Sequence, residues 1–267
     1  MKAGKLWRAV GALAAAAALH ATPALGAHPL ITDDAGTQGK GRLQLELNAE
    51  IAADREGTGG GDAEETALGA AAVLSWGIRE DADLVAAFPY GRSRLREAGR
   101  LVSDEGGLGD VSLELKWRFL EGEGFALAVK PGLTLPTGDE AKGLGTGGPS
   151  WLASLIATAD SGRWLFHWNL GLALRHYSRA EDRDALRKEI WSASAAAEYA
   201  ASESVTVVAD LGAERNAEKG SGTHPAFALA GLIYRAADHT DLDLGVKAGL
   251  NDAEADWAVL VGVARRF

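Results

Sequence analysis

The sequence predicts an all-β protein, an antiparallel up-and-down β-barrel of about twelve strands that spans a membrane. Three observations predict it. Apolar residues recur at every second position in segment after segment, and period two is the β period because successive side chains point to opposite faces. The connectors between those segments alternate long and short. Tryptophan and tyrosine gather near the segment ends in two sets, as amphipathic rings do at the two interfaces of a bilayer.

The N-terminus reads as a leader. Lys2, Lys5 and Arg8 precede an apolar run from Ala9 to Leu19, which closes on the small residues around Ala24-Leu25-Gly26-Ala27. This is the layout of a secretory signal peptide, too short and wrongly flanked for a transmembrane anchor. Residues 1–26 are therefore expected to be a signal peptide. Residues 27–40 follow as an N-terminal periplasmic segment, either a tether or a stretch folded into the pore, and residues 41–267 form the barrel. Without Lys2, Lys5 and Arg8 the formal net charge moves from −10 to −13. A chain this acidic is expected to have no nucleic-acid partner.

Period-two segments are read at 41–52, 65–77, 82–91, 108–119, 124–136, 151–159, 163–177, 188–200, 203–214, 224–236, 240–250 and 255–267. The fourth is the clearest: Val111, Leu113, Leu115, Trp117 and Phe119 alternate with Asp110, Ser112, Glu114, Lys116 and Arg118. Most segments reach the roughly 9–11 residues that a tilted strand needs to cross hydrocarbon. The first, third, fifth, seventh and ninth connectors, "GRSRLREAGRLVSDEGG" and "TGDEAKGLGTGGPS" among them, are long, "GIRED", "LEGE" and "AADH" are short, and the last, "NDAEA", is intermediate. Strict alternation sorts the connectors onto the two ends of a meander, with short periplasmic turns and longer extracellular loops. A sandwich with Greek-key crossings has no reason to obey it. Trp76, Trp117 and Trp164 fall at the short-turn end, and Tyr90, Trp151, Trp191 and Trp257 at the long-loop end; Trp168 is the exception.

The last segment, "WAVLVGVARRF", alternates up to a terminal phenylalanine. An even strand number returns it beside the first strand, and that pairing removes the open edge a membrane cannot tolerate. A terminal Phe on such a strand also resembles the C-terminal signal that the barrel assembly machinery of the bacterial outer membrane reads. Cysteine is absent, so neither a disulfide framework nor a thiolate metal site exists.

Four stretches carry a wider resemblance: "HPLITDDAGTQGKGRLQLELN", "GLGDVSLELKWRF", "KPGLTLPTGDEAKGLGTGGPS" and "LDLGVKAGLNDAEADWAVLVGVARRF". Together they resemble successive blocks of the outer-membrane transporter family of the MetA pathway of phenol degradation. The resemblance implies a place in the bacterial outer membrane and passage of small molecules, aromatic or hydrophobic compounds among them. It implies membrane lipid and a small-molecule solute as partners, and no agreed catalytic residues.

The inward phase supplies the pore-lining candidates: Glu46, Asn48, Glu50, Glu114, Lys116, Arg118, Lys130, His167, Asn169, Arg175, Glu198, Asp210, Asp243 and Lys247. Both signs of charge occur, which predicts a polar interior without a single-ion preference. Twelve strands give a backbone diameter of roughly 24 Å and, after side chains, a bore of about 10 Å or less. A salt-bridged interior that gives stability alone is the plainer alternative. The glycine-rich "GLGTGG" lacks the Lys-Ser/Thr of a phosphate loop. "TDD" and "DEAKG" lack the oxygen-ligand spacing of a calcium loop and read as solvated loop carboxylates. His28, His167, His176, His224 and His239 are scattered, so no metal or other cofactor is expected. A structural or adhesive barrel, and an outer-membrane lipid hydrolase using His176, are the other classes. No Gly-x-Ser-x-Gly elbow supports the hydrolase, and the chain is read as no enzyme.

Overall fold

A computed structural model describes residues 28–58 and 61–267. The expected leader lies outside the described residues. The strands are β1 (Leu43–Thr58), β2 (Gly61–Arg79), β3 (Ala82–Glu97), β4 (Arg100–Leu108), β5 (Val111–Gly122) and β6 (Phe125–Leu135). They continue as β7 (Ser150–Ser161), β8 (Trp164–Leu174), β9 (Glu189–Ala200), β10 (Val205–Glu214), β11 (Ala226–Ala237), β12 (Thr240–Gly249) and β13 (Trp257–Arg266). One short helix, α1 (Ala180–Ala185), sits in the connector after β8. Neighbours pair antiparallel all the way round, and β1 closes the sheet against β13 from Gln44↔Arg266 to Ala53↔Trp257. Among the described residues every strand but β4 is paired on both sides, and β4, with β3 alone beside it, lies at the outer end of the wall.

Thirteen strands fill twelve places. β4 pairs with the outer half of β3, from Tyr90 to Glu97, and β5 pairs with its inner half, from Ala82 to Ala87. The break between them falls at Gly109-Asp110. There the Asp110 carboxylate accepts from the Gly138 and Thr146 amides, both at 2.9 Å, and so ties down the long β6–β7 connector.

Side chains on the outer face are the apolar set. Leu47, Ile51, Leu113, Leu170, Leu211, Leu244 and Val261 are all exposed, as are the belt tryptophans Trp76, Trp117, Trp151 and Trp257. In water such a surface would aggregate; around a barrel it is the surface that lipid covers.

Two expected loops are strands. Residues 53–58 and 61–64 extend β1 and β2, and "GRSRLREAGRLVSDEGG" is the end of β3, a two-residue turn and β4. Ten residues cross a 25 Å apolar band at about 3.3 Å per residue and about 40° of tilt. Strands β1, β2 and β3 run for 16, 19 and 16 residues, so their hairpins stand clear of the membrane. Beyond the lipid the outward phase no longer has to be apolar. Arg92, Arg94 and Arg96 continue the alternation that Phe88 and Tyr90 began, and the backbone ladder persists without the hydrophobic signature.

Candidate functional site

The chain's own N-terminal segment lies in the interior. Of the two placements open for residues 27–40, a periplasmic tether or a stretch folded into the pore, residues 28–38 take the second. Thr32, Asp33 and Ala35 are fully buried, and Leu30 nearly so. The segment has no regular hydrogen-bonded structure, so side chains of the wall take over its backbone groups. Asp210 accepts from the Ile31 amide at 2.7 Å, the Thr32 amide at 2.8 Å and the Thr32 hydroxyl at 2.7 Å. The Ala35 amide donates to Thr158 Oγ1 at 2.9 Å, and the Gln38 amide donates to Asp83 at 2.9 Å. Asn169, its amide turned so that both ends are satisfied, brackets the Asp33 backbone at 2.9 and 2.6 Å. His28 Nδ1 meets the Asp243 carboxylate.

The tightest anchor is electrostatic. Asp33 accepts from Lys116 Nζ at 2.9 Å and from Lys130 Nζ at 2.7 Å. Lys116 on β5 and Lys130 on β6 lie opposite each other in the register set by the flanking pairs Glu114↔Gly132 and Trp117↔Val129. The ladder lapses between those pairs, where Pro131 has no N–H to give. Two buried lysines face to face would repel. Asp33 fills the place between them and joins β5 to β6 where the backbone ladder is weakest. Asp34 and Glu114, each 3.8 Å from one of the ammonium groups, complete the balance. The expectation that the carboxylates of "TDD" are solvated fails for Asp33 for this reason: a buried lysine pair demands a buried acid.

Space for the segment comes from small residues on the wall. Gly231 on β11 faces Gly245 on β12, and a Cβ at Gly245 would lie 2.8 Å from Pro29 Cβ. The interior is also less polar than expected. Around Leu30 and Ile31 the wall is apolar, with Ala52, Ala67, Val208, Phe227, Leu229 and Leu260 forming one buried cluster. On the periplasmic side of the segment a cavity of about 260 Å³ is lined by His28, Glu46, Asp83, Asp241, Asp243 and Arg266, among others.

All of the charged and polar inward-phase candidates are buried or half-buried. Lys116, Lys130, Asn169, Asp210 and Asp243 touch the segment directly. Glu114 reaches it through Lys130. His167 reaches it through Thr158, whose hydroxyl lies 2.9 Å from Nδ1, while Nε2 lies 3.1 Å from Glu198. A second group stands apart: Lys247 bridges Glu50 at 3.0 Å and Glu254 at 3.2 Å. Arg118 lies at the periplasmic end, 3.1 Å from Glu121. Glu46 accepts from Gln44 at 2.7 Å but its Oε2 is buried without a partner, as is Oδ1 of Asn48. Arg175, just past the end of β8, borders the second group, for it shares the neighbourhood of Glu214 with Lys247 and Glu254. Sequence reasoning missed Thr32, Asp83 and Thr158. Asp83 was within reach, since it shares the inward phase of β3 with Val85 and Ala87.

A twelve-place barrel of this kind has solved counterparts. An outer-membrane channel from Pseudomonas putida F1 superposes with a TM-score of 0.64 at 15% identity, over 88% of this chain and 98% of that one. The translocator domain of the autotransporter NalP from Neisseria meningitidis gives 0.55 at 14% identity, over 86% and 89% of the two chains. The NanC porin gives 0.51 at 10% identity, over 83% and 98%. At these identities the likeness is one of fold, that of an outer-membrane β-barrel. No curated sequence matches the chain. The family model described as "Putative MetA-pathway of phenol degradation" matches residues 29–267, which takes in the inserted segment and every strand, and the chain belongs to that family.

Proposed function

We propose that the protein is a gated outer-membrane channel for small molecules, with residues 28–38 as the gate. One observation carries this reading. The segment lies in the lumen, is held by side-chain contacts alone and adds no strand to the wall, so its departure keeps every β ladder in place and hands the Lys116–Lys130 pair to water. A plug serving only stability would have no need of a wall that is closed and complete without it. The pore-lining candidates divide accordingly: Lys116, Lys130, Asn169, Asp210 and Asp243 hold the gate shut, while Glu50 and Lys247 flank the route beside it.

Solute class follows from the apolar cluster around Leu30. A small neutral compound with an apolar or aromatic body suits a path walled by Phe227, Leu229 and Leu260 better than a sugar or a free ion does. The same reading has the C-terminal strand, ending at Phe267, recognised by the barrel assembly machinery. The test is uptake into proteoliposomes. Read as uptake above that of protein-free liposomes, since neutral aromatics also cross bare lipid, phenol-sized neutral aromatics are expected to gain more from the barrel than a neutral sugar of similar mass, and no gain for either solute from a correctly folded barrel would contradict the reading.

A further inference from the structure

Strand β3 carries an arginine ladder on its lipid side. The outward phase runs Leu84, Ala86, Phe88, Tyr90 and then Arg92, Arg94 and Arg96. Depth follows from the register. Ala82 pairs with Trp117 of the periplasmic belt, and Arg92 stands ten residues further up the strand. At about 3.3 Å per residue and about 40° of tilt this is about 25 Å, the height of the apolar band. Arg94 also shares one hydrogen-bonding row with Trp257 of the opposite belt, through Thr66 and Ala53. The guanidinium groups therefore stand where the hydrocarbon of the outer leaflet ends and its headgroups begin.

The ladder flanks a groove of about 320 Å³ whose other wall includes Ile51 and Leu68, with Thr66 between. Asp104 takes Arg92 through Nε and Nη2 at 2.7 and 2.9 Å, and Arg94 through the same two atoms at 3.2 and 2.9 Å. One carboxylate thus orients two guanidiniums through their Nε and Nη2 edges. Those two hydrogen-bonded arginines hold the Asp104 carboxyl below the usual carboxylate range, so it stays charged while doing so. Glu64 in the same groove is taken by Arg55 at 3.1 Å. On the outward phase of these hairpins Arg55, Arg92, Arg94 and Arg96 meet Asp104 and Glu64, while Glu65, Glu97 and Glu105 fall on the inward phase.

We propose that this groove binds the phosphorylated sugar headgroup of the outer-leaflet glycolipid. Its phosphates lie on Arg92, Arg94 and Arg96, and its acyl chains run down past Ile51, Leu68 and Phe88. Guanidinium matches phosphate in a planar fork and is the residue suited to that contact at a half-dry surface. Apolar side chains directly beneath the cations fit a lipid and are of no use to a soluble anion.

Native mass spectrometry of the detergent-purified barrel tests this, with bisphosphorylated lipid A as the probe. Lipid A is expected to bind the wild type at least tenfold better than its dephosphorylated form. The Arg92→Gln/Arg94→Gln/Arg96→Gln variant is expected to lose that preference. Arg79→Gln/Arg163→Gln/Arg235→Gln, at the periplasmic turns, is expected to keep it. Equal binding of both lipid forms by the wild type overturns the proposal without recourse to any variant. Phosphatidylglycerol binding as tightly as lipid A also overturns it, because that would be attraction to any anionic lipid.

Discussion

Asp33 accepts a hydrogen bond from Lys130 at 2.7 Å across a sequence separation of 97 residues, and both side chains are buried. This pair ties a segment that precedes the barrel to the middle of its wall. Asp33→Asn keeps the shape and removes the charge. Breaking a buried ion pair from one side costs about 3–5 kcal/mol, and here Asp34 and Glu114 absorb part of it. The loss falls on the docking of the segment, since the wall is complete without it. At about 1.4 kcal/mol per factor of ten, the undocked population is expected to rise about a hundredfold. Single-channel recording in planar bilayers reads it as longer open times, with the urea midpoint of the barrel nearly unchanged.

Gly245→Ala is the most local perturbation of the same closure. The added Cβ would meet Pro29 Cβ at 2.8 Å and Cγ at 3.1 Å, with Leu260 Cβ next at an ordinary 3.7 Å. Folding is expected to survive while the segment is pushed from its seat. Faster cleavage within residues 28–38 by an added protease, beside an intact heat-modifiable barrel, is the readout. Unchanged protection would mean that the contact is slack.

Strand β5 separates lipid from lumen residue by residue. Leu113 and Leu115 are exposed outward, while Glu114 between them is buried. Leu113 lies four residues above the belt residue Trp117, close to mid-bilayer, and Leu115 only two. Leu113→Arg is expected to cost about 2–4 kcal/mol in folding into bilayers and Leu115→Arg clearly less, because the penalty falls towards the interface. Glu114→Gln is expected to fold nearly as the wild type and to change conductance. Denaturant titration of the refolded variants checks the order, and equal stability of all three would mean the phase is wrong.

These examples also show which information was local. The phase of β5 was legible because lipid imposes apolar residues on alternate positions, as it does from Trp257 to Phe267. The hairpin extension from Arg92 to Leu101 was not, since beyond the lipid nothing forces that pattern and arginine and glycine read as loop. The sequence left the N-terminal segment open between a tether and a stretch folded into the pore, for a different reason. "HPLITDD" has no period of its own, and its partners Asp83, Lys116, Lys130, Thr158, Asp210 and Asp243 are scattered over six strands from β3 to β12. The candidate residues could be picked from the inward phase. That many of them converge on Asp33 and Thr32 could not.

Phe267 completes the barrel seam. Its amide donates to the Leu43 carbonyl at 2.8 Å, its carbonyl accepts from the Leu43 amide at 3.3 Å, and Arg265 lies over its ring. Deleting Phe267 removes this last pair of hydrogen bonds and, on the assembly reading, the recognition signal. The yield of heat-modifiable barrel in the outer membrane is expected to fall several-fold, against little change when Gly222 in the β10–β11 connector is deleted. Normal yield without Phe267 would remove the assembly role.

The central claim, that residues 28–38 close an otherwise complete pore, is tested most directly by single-channel conductance of the barrel with those residues deleted. The wild type is expected to show rare, brief openings. The deletion variant, refolded to the same heat-modifiable form, is expected to show a steady and larger conductance, as befits a bore of up to about 10 Å. Identical conductance in the two proteins would contradict the account, because the lumen would then be sealed, or open, without the segment.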